Sequence, residues 1–224
     1  MQTTQWNQDS YKEHHAQYLG RDTGGFKEKI EEERRLQAAD GEFRLYEQGH
    51  RQGEMLDKYP DIKVAVDIGS GAGWMGNYLV ETRNYELVHA IEPSSAAQKI
   101  ARELYPDLGE KVNYINGFAE EEIAKLEFDQ PVFFNSFCVL SHIQDQEVSG
   151  ILNAINEVAP KGSVFASREN WGPEFHDDAS IWHVRTIEWW KSHLPDWTWS
   201  FEKTDPLGWP AHPDRFIGFC AVKE

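Results

Sequence analysis

At 224 residues the chain has room for one α/β domain with a substantial core. Acidic residues outnumber basic ones by 38 to 22, and the resulting net charge of -16 opposes binding to nucleic acid phosphates or anionic lipid surfaces. Cys138 and Cys220 both lie in apolar segments, which gives reduced thiols and neither a disulfide framework nor a cysteine-pair metal site. No apolar stretch reaches the roughly eighteen residues of a membrane span, and no signal-peptide pattern opens the sequence, so the expectation is a cytoplasmic protein.

Residues 1–60 are expected to form a helical extension and 61–224 the main domain. From 25 to 59, Phe26, Ile30, Leu36, Phe43, Leu45, Tyr46, Met55 and Leu56 recur at loose helical spacing, which predicts two or three helices interrupted at Gly41 and Gly49. At 64–68 the texture changes to a continuous apolar run, VAVDI, the mark of a strand buried on both faces. Helix (73–82), strand (86–91), helix (94–104), strand (112–115), helix (119–126), strand (131–137), helix (144–157) and strand (163–167) then alternate. After a polar stretch come a helix (181–193) and two β-like runs (198–203 and 215–222), too close in sequence for a helical crossover and so expected to pair antiparallel. This rhythm predicts a doubly wound α/β fold with a mostly parallel seven-stranded sheet and a C-terminal antiparallel pair.

The first strand runs into Asp67-Ile-Gly69-Ser70-Gly71-Ala-Gly73-Trp74. Glycines allow positive φ and a close approach of backbone to ligand, and the helix start offers free N–H groups. A dinucleotide fingerprint would need a small residue where Trp74 stands. Asp67 places a carboxylate where a diphosphate would be repelled and an ammonium attracted. In this acidic-x-Gly-x-Gly-x-Gly pattern the sequence resembles the class I S-adenosylmethionine-dependent methyltransferases, over about half its length (64–167).

The resemblance implies a Rossmann-like methyltransferase fold, S-adenosyl-L-methionine as cofactor and S-adenosyl-L-homocysteine as product. Asp67 would then contact the methionine ammonium, directly or through water, while Gly69, Ser70, Gly71 and Gly73 line the methionine and ribose. Glu92, at the end of the second strand, would accept from the ribose hydroxyls, with Pro93 packing on adenine. Family members usually carry a short polar or acidic residue after the third strand, whereas this chain has Phe118 and Ala119. Two readings are open there: Phe118 packing over adenine with the Ala119 N–H at its edge, or Phe118 as core. Asn135 and Ser136 are polar in an otherwise apolar strand, which calls for a partner; the resemblance, in which this strand runs beneath the methyl group, implies that they bind the cofactor. His142 is the leading general base, against a purely structural histidine, and His176 is an alternative base. With Asp177 or Asp178, His176 also has the makings of a divalent-metal site, against a simply solvated loop; no metal is assigned.

The tryptophans at 182, 189, 190, 197, 199 and 209 divide between core and pocket wall, and Trp6, Tyr11 and Tyr18 would contribute if the N-terminal segment folds over the cofactor as a lid. The Asn/Asp-Pro-Pro-Tyr/Phe motif of nucleic acid amino-methyltransferases is absent, with Asn135-Ser-Phe-Cys in its place. The expected function is methyl transfer to an oxygen or nitrogen of a small molecule, such as a sugar or natural-product intermediate. A catalytically silent cofactor-binding subunit and an NAD-dependent oxidoreductase are the rivals. Oligomeric state is not encoded in any legible pattern.

Overall fold

In a computed structural model of the chain, residues 56–137, 139–170, 183–204 and 216–224 are described. The expected extension and lid, with Trp6, Tyr11 and Tyr18, lie outside these residues except at 56–60.

Seven strands form one sheet in the order β3-β2-β1-β4-β5-β7-β6. Strands β1 (Val64–Ile68), β2 (Leu87–Ile91), β3 (Val112–Ile115), β4 (Val132–Phe137) and β5 (Val164–Asn170) are mutually parallel. Strand β7 (Phe216–Lys223) slots antiparallel between β5 and β6 (Trp197–Thr204). The fold is therefore the expected mixed α/β sheet with its antiparallel closing pair.

Each β1 residue is buried, as the unbroken apolar run requires. Strand alternation sorts the core into two halves. Ala65, Phe133, Val164, Ala166 and Cys220 face α1 (Trp74–Arg83) and α2 (Ser95–Leu104), through Met75, Leu79, Ile100 and Leu104. On the other face Val66, Ile68, Phe134, Phe165 and Phe219 meet α4 (Asp145–Val158) and α5 (Ile187–His193), through Val148, Ile151, Leu152, Ile155 and Trp190. The short helix α3 (Ala119–Ile123) buries Ile123 in this second half.

Local signals set the helix starts. Ser94 caps α2 by accepting the Ala97 N–H at 3.2 Å, and Gln144 with Glu147 forms a capping box at α4. Thr186 likewise accepts the Trp189 N–H at 3.1 Å, so α5 begins at Ile187 rather than at 181, and 183–186 is not helical. Strand β5 runs to Asn170, beyond the expected 167, because β7 pairs along its whole length and draws Arg168 and Glu169 into the sheet. A 3₁₀ stretch at Pro106–Lys111 and a 3₁₀ turn at Leu140–His142 were not legible as elements.

Trp190 and Trp197 are core, and Trp199 is partly buried against it; Trp190 and Trp199 pack about Phe219 at ring-centroid distances of 4.7 and 5.4 Å. Trp182 and Trp209 lie outside the described residues. Burial pushes the Cys220 thiol up to about 11, so it is an inert core group. No helix among the described residues is long and apolar enough to cross a membrane.

Candidate functional site

The chain leaves β1 centrally and builds β2 and β3 to one side, then returns to place β4 on the other. In open α/β sheets ligands bind at such a switch point, beyond the C-terminal ends of the strands. The glycine turn follows β1 at this point. Gly69 and Ser70 donate their N–H groups to Ile91 O at 2.9 and 3.0 Å, tying the turn to the end of β2.

Gly69, Gly71 and Gly73 all have positive φ, at 68°, 50° and 80°. At Gly69 a Cβ would stand 2.5 Å from Val139 Cγ2, so glycine there lets the segment after β4 close against the turn. At Gly71 a Cβ would meet nothing within 4 Å among the described residues.

Register places Asp67 beside Asn135 on β4. Asn135 Nδ2 donates to Asp67 Oδ1 at 2.8 Å, and both residues are almost wholly buried. Among the described residues, that leaves Asp67 Oδ2 and Asn135 Oδ1 as buried acceptors with no hydrogen-bond partner, joined by Ser70 Oγ and Tyr114 OH as further buried atoms without one. Burial is the main cause lifting the Asp67 carboxyl to about 7; the Asn135 hydrogen bond lowers it and the Glu92 charge raises it. Glu92 is also buried, and desolvation raises its pKa against the N–H groups of Ser94 and Gly71 that hold it at 2.9 and 3.0 Å. Among the described residues neither carboxylate is ion-paired. Two desolvated acids and unsatisfied acceptors around the glycine turn are suited to a cationic, hydroxylated ligand.

The structure gathers Asp67, Gly69, Ser70, Gly71, Gly73, Glu92 and Asn135 at this turn, and Pro93 follows at the end of β2. Asn116 Nδ2 donates to Glu92 O at 3.1 Å and Pro93 O at 3.0 Å, joining the ends of β2 and β3. Phe118 opens α3 and is 43% exposed, the one exposed large apolar side chain among the described residues, so it is not core; Ala119 packs partly into the second core half. Ser136 is not brought to the turn. It points to the opposite face and donates to Glu169 Oε1 at 3.2 Å.

His142 ends the 3₁₀ turn after β4 and is half-buried. His176, Asp177 and Asp178 lie outside the described residues, and among the described residues no group of three or more His, Cys, Asp or Glu is placed to hold a metal ion. Sequence reasoning missed Glu169 and Arg185, 2% and 4% exposed, which both bond the Leu140–His142 turn. The available signal was two charged residues flanking the loop expected to border the pocket.

Residues 66–166 match the methyltransferase domain family. Similar solved structures include an S-adenosylmethionine-dependent methyltransferase from Archaeoglobus fulgidus (TM-score 0.63, 12% identity, covering 84% of this chain and 98% of that one). Magnesium protoporphyrin IX methyltransferase from Synechocystis, with bound S-adenosylhomocysteine, is similar at TM-score 0.60 and 13% identity, covering 81% of this chain and 83% of that one. Phosphoethanolamine N-methyltransferase 2 from Haemonchus contortus, in complex with S-adenosyl-L-methionine, gives 0.58 and 15%; the match covers 77% of this chain but only 52% of that longer one. No curated protein sequence matches. Family match and fold agree: residues 66–166 match a methyltransferase domain, and the fold is shared with S-adenosylmethionine-dependent methyltransferases solved with that cofactor or its product bound.

Proposed function

We propose that the protein transfers a methyl group from S-adenosyl-L-methionine to an oxygen or nitrogen of a small-molecule acceptor. The observation that carries this reading is the buried pair Asp67 and Asn135, each with an acceptor oxygen that has no partner among the described residues, beside the glycine turn. An amino acid ammonium supplies the donors that both oxygens lack, and its charge offsets the desolvation that holds the Asp67 carboxyl near 7.

When bound, the cofactor supplies an activated sulfonium methyl, so the protein's work is positioning and exclusion of water. Asp67 and Asn135 would hold the ammonium, and Gly71 would let the backbone approach. Each Glu92 oxygen accepts one backbone N–H and keeps a lone pair for a ribose hydroxyl. Phe118, exposed at the start of α3, offers its ring to adenine. His142 takes the proton when the acceptor is a neutral hydroxyl.

The net charge of -16 supports a small-molecule acceptor over nucleic acid, and the buried unpaired thiol of Cys220 suits a cytoplasmic setting. Calorimetry with S-adenosylhomocysteine and with NAD, followed by transfer of labelled methyl to fractions of a metabolite extract, tests the reading. Binding of S-adenosylhomocysteine with labelled product supports it. NAD binding alone refutes it, and binding without transfer to any fraction makes the protein a cofactor-binding subunit. With a productive fraction, His142→Ala is expected to lower turnover by about 100-fold or more while S-adenosylhomocysteine affinity holds; undiminished turnover removes His142 from the chemistry.

A further inference from the structure

The turn that carries His142 is short and is held largely from outside. Two backbone hydrogen bonds belong to it, His142 N to Val139 O at 2.9 Å and Ile143 N to Leu140 O at 3.2 Å. One 3₁₀ turn with so few bonds does not fix its own shape in water.

Two buried side chains of opposite charge grip its peptide groups. Glu169 Oε2 accepts the Ser141 N–H at 2.8 Å, while Oε1 accepts the hydroxyls of Ser167 and Ser136 at 2.7 and 3.2 Å. Arg185 donates from Nη1 to Leu140 O at 2.7 Å and from Nη2 to Ile143 O, and its Nε reaches Asp145 Oδ1 at 2.9 Å. Between these grips the His183 N–H meets Ser141 O at 2.7 Å. On its other side the turn is backed by Val139, whose methyls stand against Gly69. Burying a carboxylate and a guanidinium is costly, and an apolar plug would anchor a turn of no consequence more cheaply. What charged, directional hydrogen bonds add is a fixed geometry.

We infer that Glu169 and Arg185 are a positioning pair: they set the Leu140–His142 turn, and with it His142, against the glycine turn at Gly69. The inference rests on the reading of His142 as proton acceptor, and its test separates the two. Protein labelled with ¹³C at the histidine Cε1 and saturated with S-adenosylhomocysteine gives a ring signal for His142, assigned by its loss in His142→Asn. In Glu169→Gln and in Arg185→Lys, which keep size or charge but not the full set of bonds, that signal is expected to shift and broaden. S-adenosylhomocysteine affinity should stay within about threefold, and kcat should fall by about 10- to 100-fold, the usual cost of losing an orienting partner.

In a His142→Asn background, Glu169→Gln is expected to cost no further turnover. An unmoved His142 signal in both folded variants overturns the positioning role, as does a loss of turnover that adds in full to that of His142→Asn. If His142→Asn itself keeps full turnover, the proton-acceptor reading falls, and the ring signal still decides whether the pair sets the turn. Should Glu169→Gln fail to fold, Arg185→Lys decides alone.

Discussion

The Asp67→Asn substitution keeps the shape of a buried side chain and removes its ionisation, so it separates what the carboxyl does for the fold from what it does for the ligand. Burial lifts Asp67 from its ordinary 3.8 to about 7, a rise of about 3 units, or about 4 kcal/mol between its two protonation states. A carboxyl whose folded pKa lies above its unfolded one binds its proton more tightly when folded. The ligand-free protein therefore loses stability as pH rises from about 4 through about 7, and the full cost is present above that window. The variant lacks this term, and its side-chain oxygen still accepts from Asn135. In urea unfolding without cofactor, the variant is expected to match the wild type near pH 4 and exceed it at pH 8 by up to about 4 kcal/mol. Glu169, also raised by burial, titrates in both proteins and cancels in the difference, while Glu92, coupled to Asp67 by charge, gives up its proton more easily in the variant and adds to the difference in the same direction. Cofactor binding should move the other way. At pH 8 the variant should bind S-adenosylhomocysteine about 10- to 100-fold more weakly, from loss of a charge-assisted hydrogen bond. Wild-type affinity should fall toward that of the variant as Asp67 protonates below pH 7. Equal stability profiles for the two proteins from pH 4 to 8 would refute the desolvated carboxyl, and equal affinities at pH 8 would refute its role toward the ammonium.

Glu92→Gln should weaken S-adenosylhomocysteine binding by about 1–3 kcal/mol, read by calorimetry, because the amide loses the charge that two backbone N–H groups hold and that the proposed ribose contact would use. Gly69→Ala puts a methyl 2.5 Å from Val139 at φ +68, so left-handed strain and overpacking should lower stability by about 2–4 kcal/mol in urea unfolding. Trp190→Ala empties a site walled by Phe219 and Trp189 and should cost about 3–5 kcal/mol, with S-adenosylhomocysteine affinity at 25 °C little changed, since the cavity lies on the face away from Asp67.

The gathering of residues at the glycine turn was legible because its determinants are local. Asp67 through Gly73 is one strand end and one turn, and Glu92 and Ser94 close the next strand within a few residues. The pairing of Asp67 with Asn135 was not, since 68 residues separate them and only the β1–β4 register joins them. The same applies to Ser136: its polarity in an apolar strand signalled a partner, but which face it takes depends on strand phase, and the partner is Glu169 on β5. Glu169 read as a loop residue because the β5 extension is sustained by β7, and Arg185 read as part of a helix although it precedes α5 and reaches carbonyls more than 40 positions back. The start of α5 was readable in principle, since Thr186 followed by Ile187 and Glu188 is a capping pattern, but the apolar run from Ile181 masked it.

The place of β7 between β5 and β6 also orders events during synthesis. Among the described residues strand β6 finds its sheet neighbour only in β7, and the long edge of β5 stays open until the same strand arrives. At about 5–20 residues per second, the stretch from Val164 to Phe216 takes several seconds to leave the ribosome. Throughout that interval a hydrophobic strand edge is available to other nascent chains, so the yield of folded protein should respond to translation speed and chaperone supply more than the stability of the finished sheet would indicate.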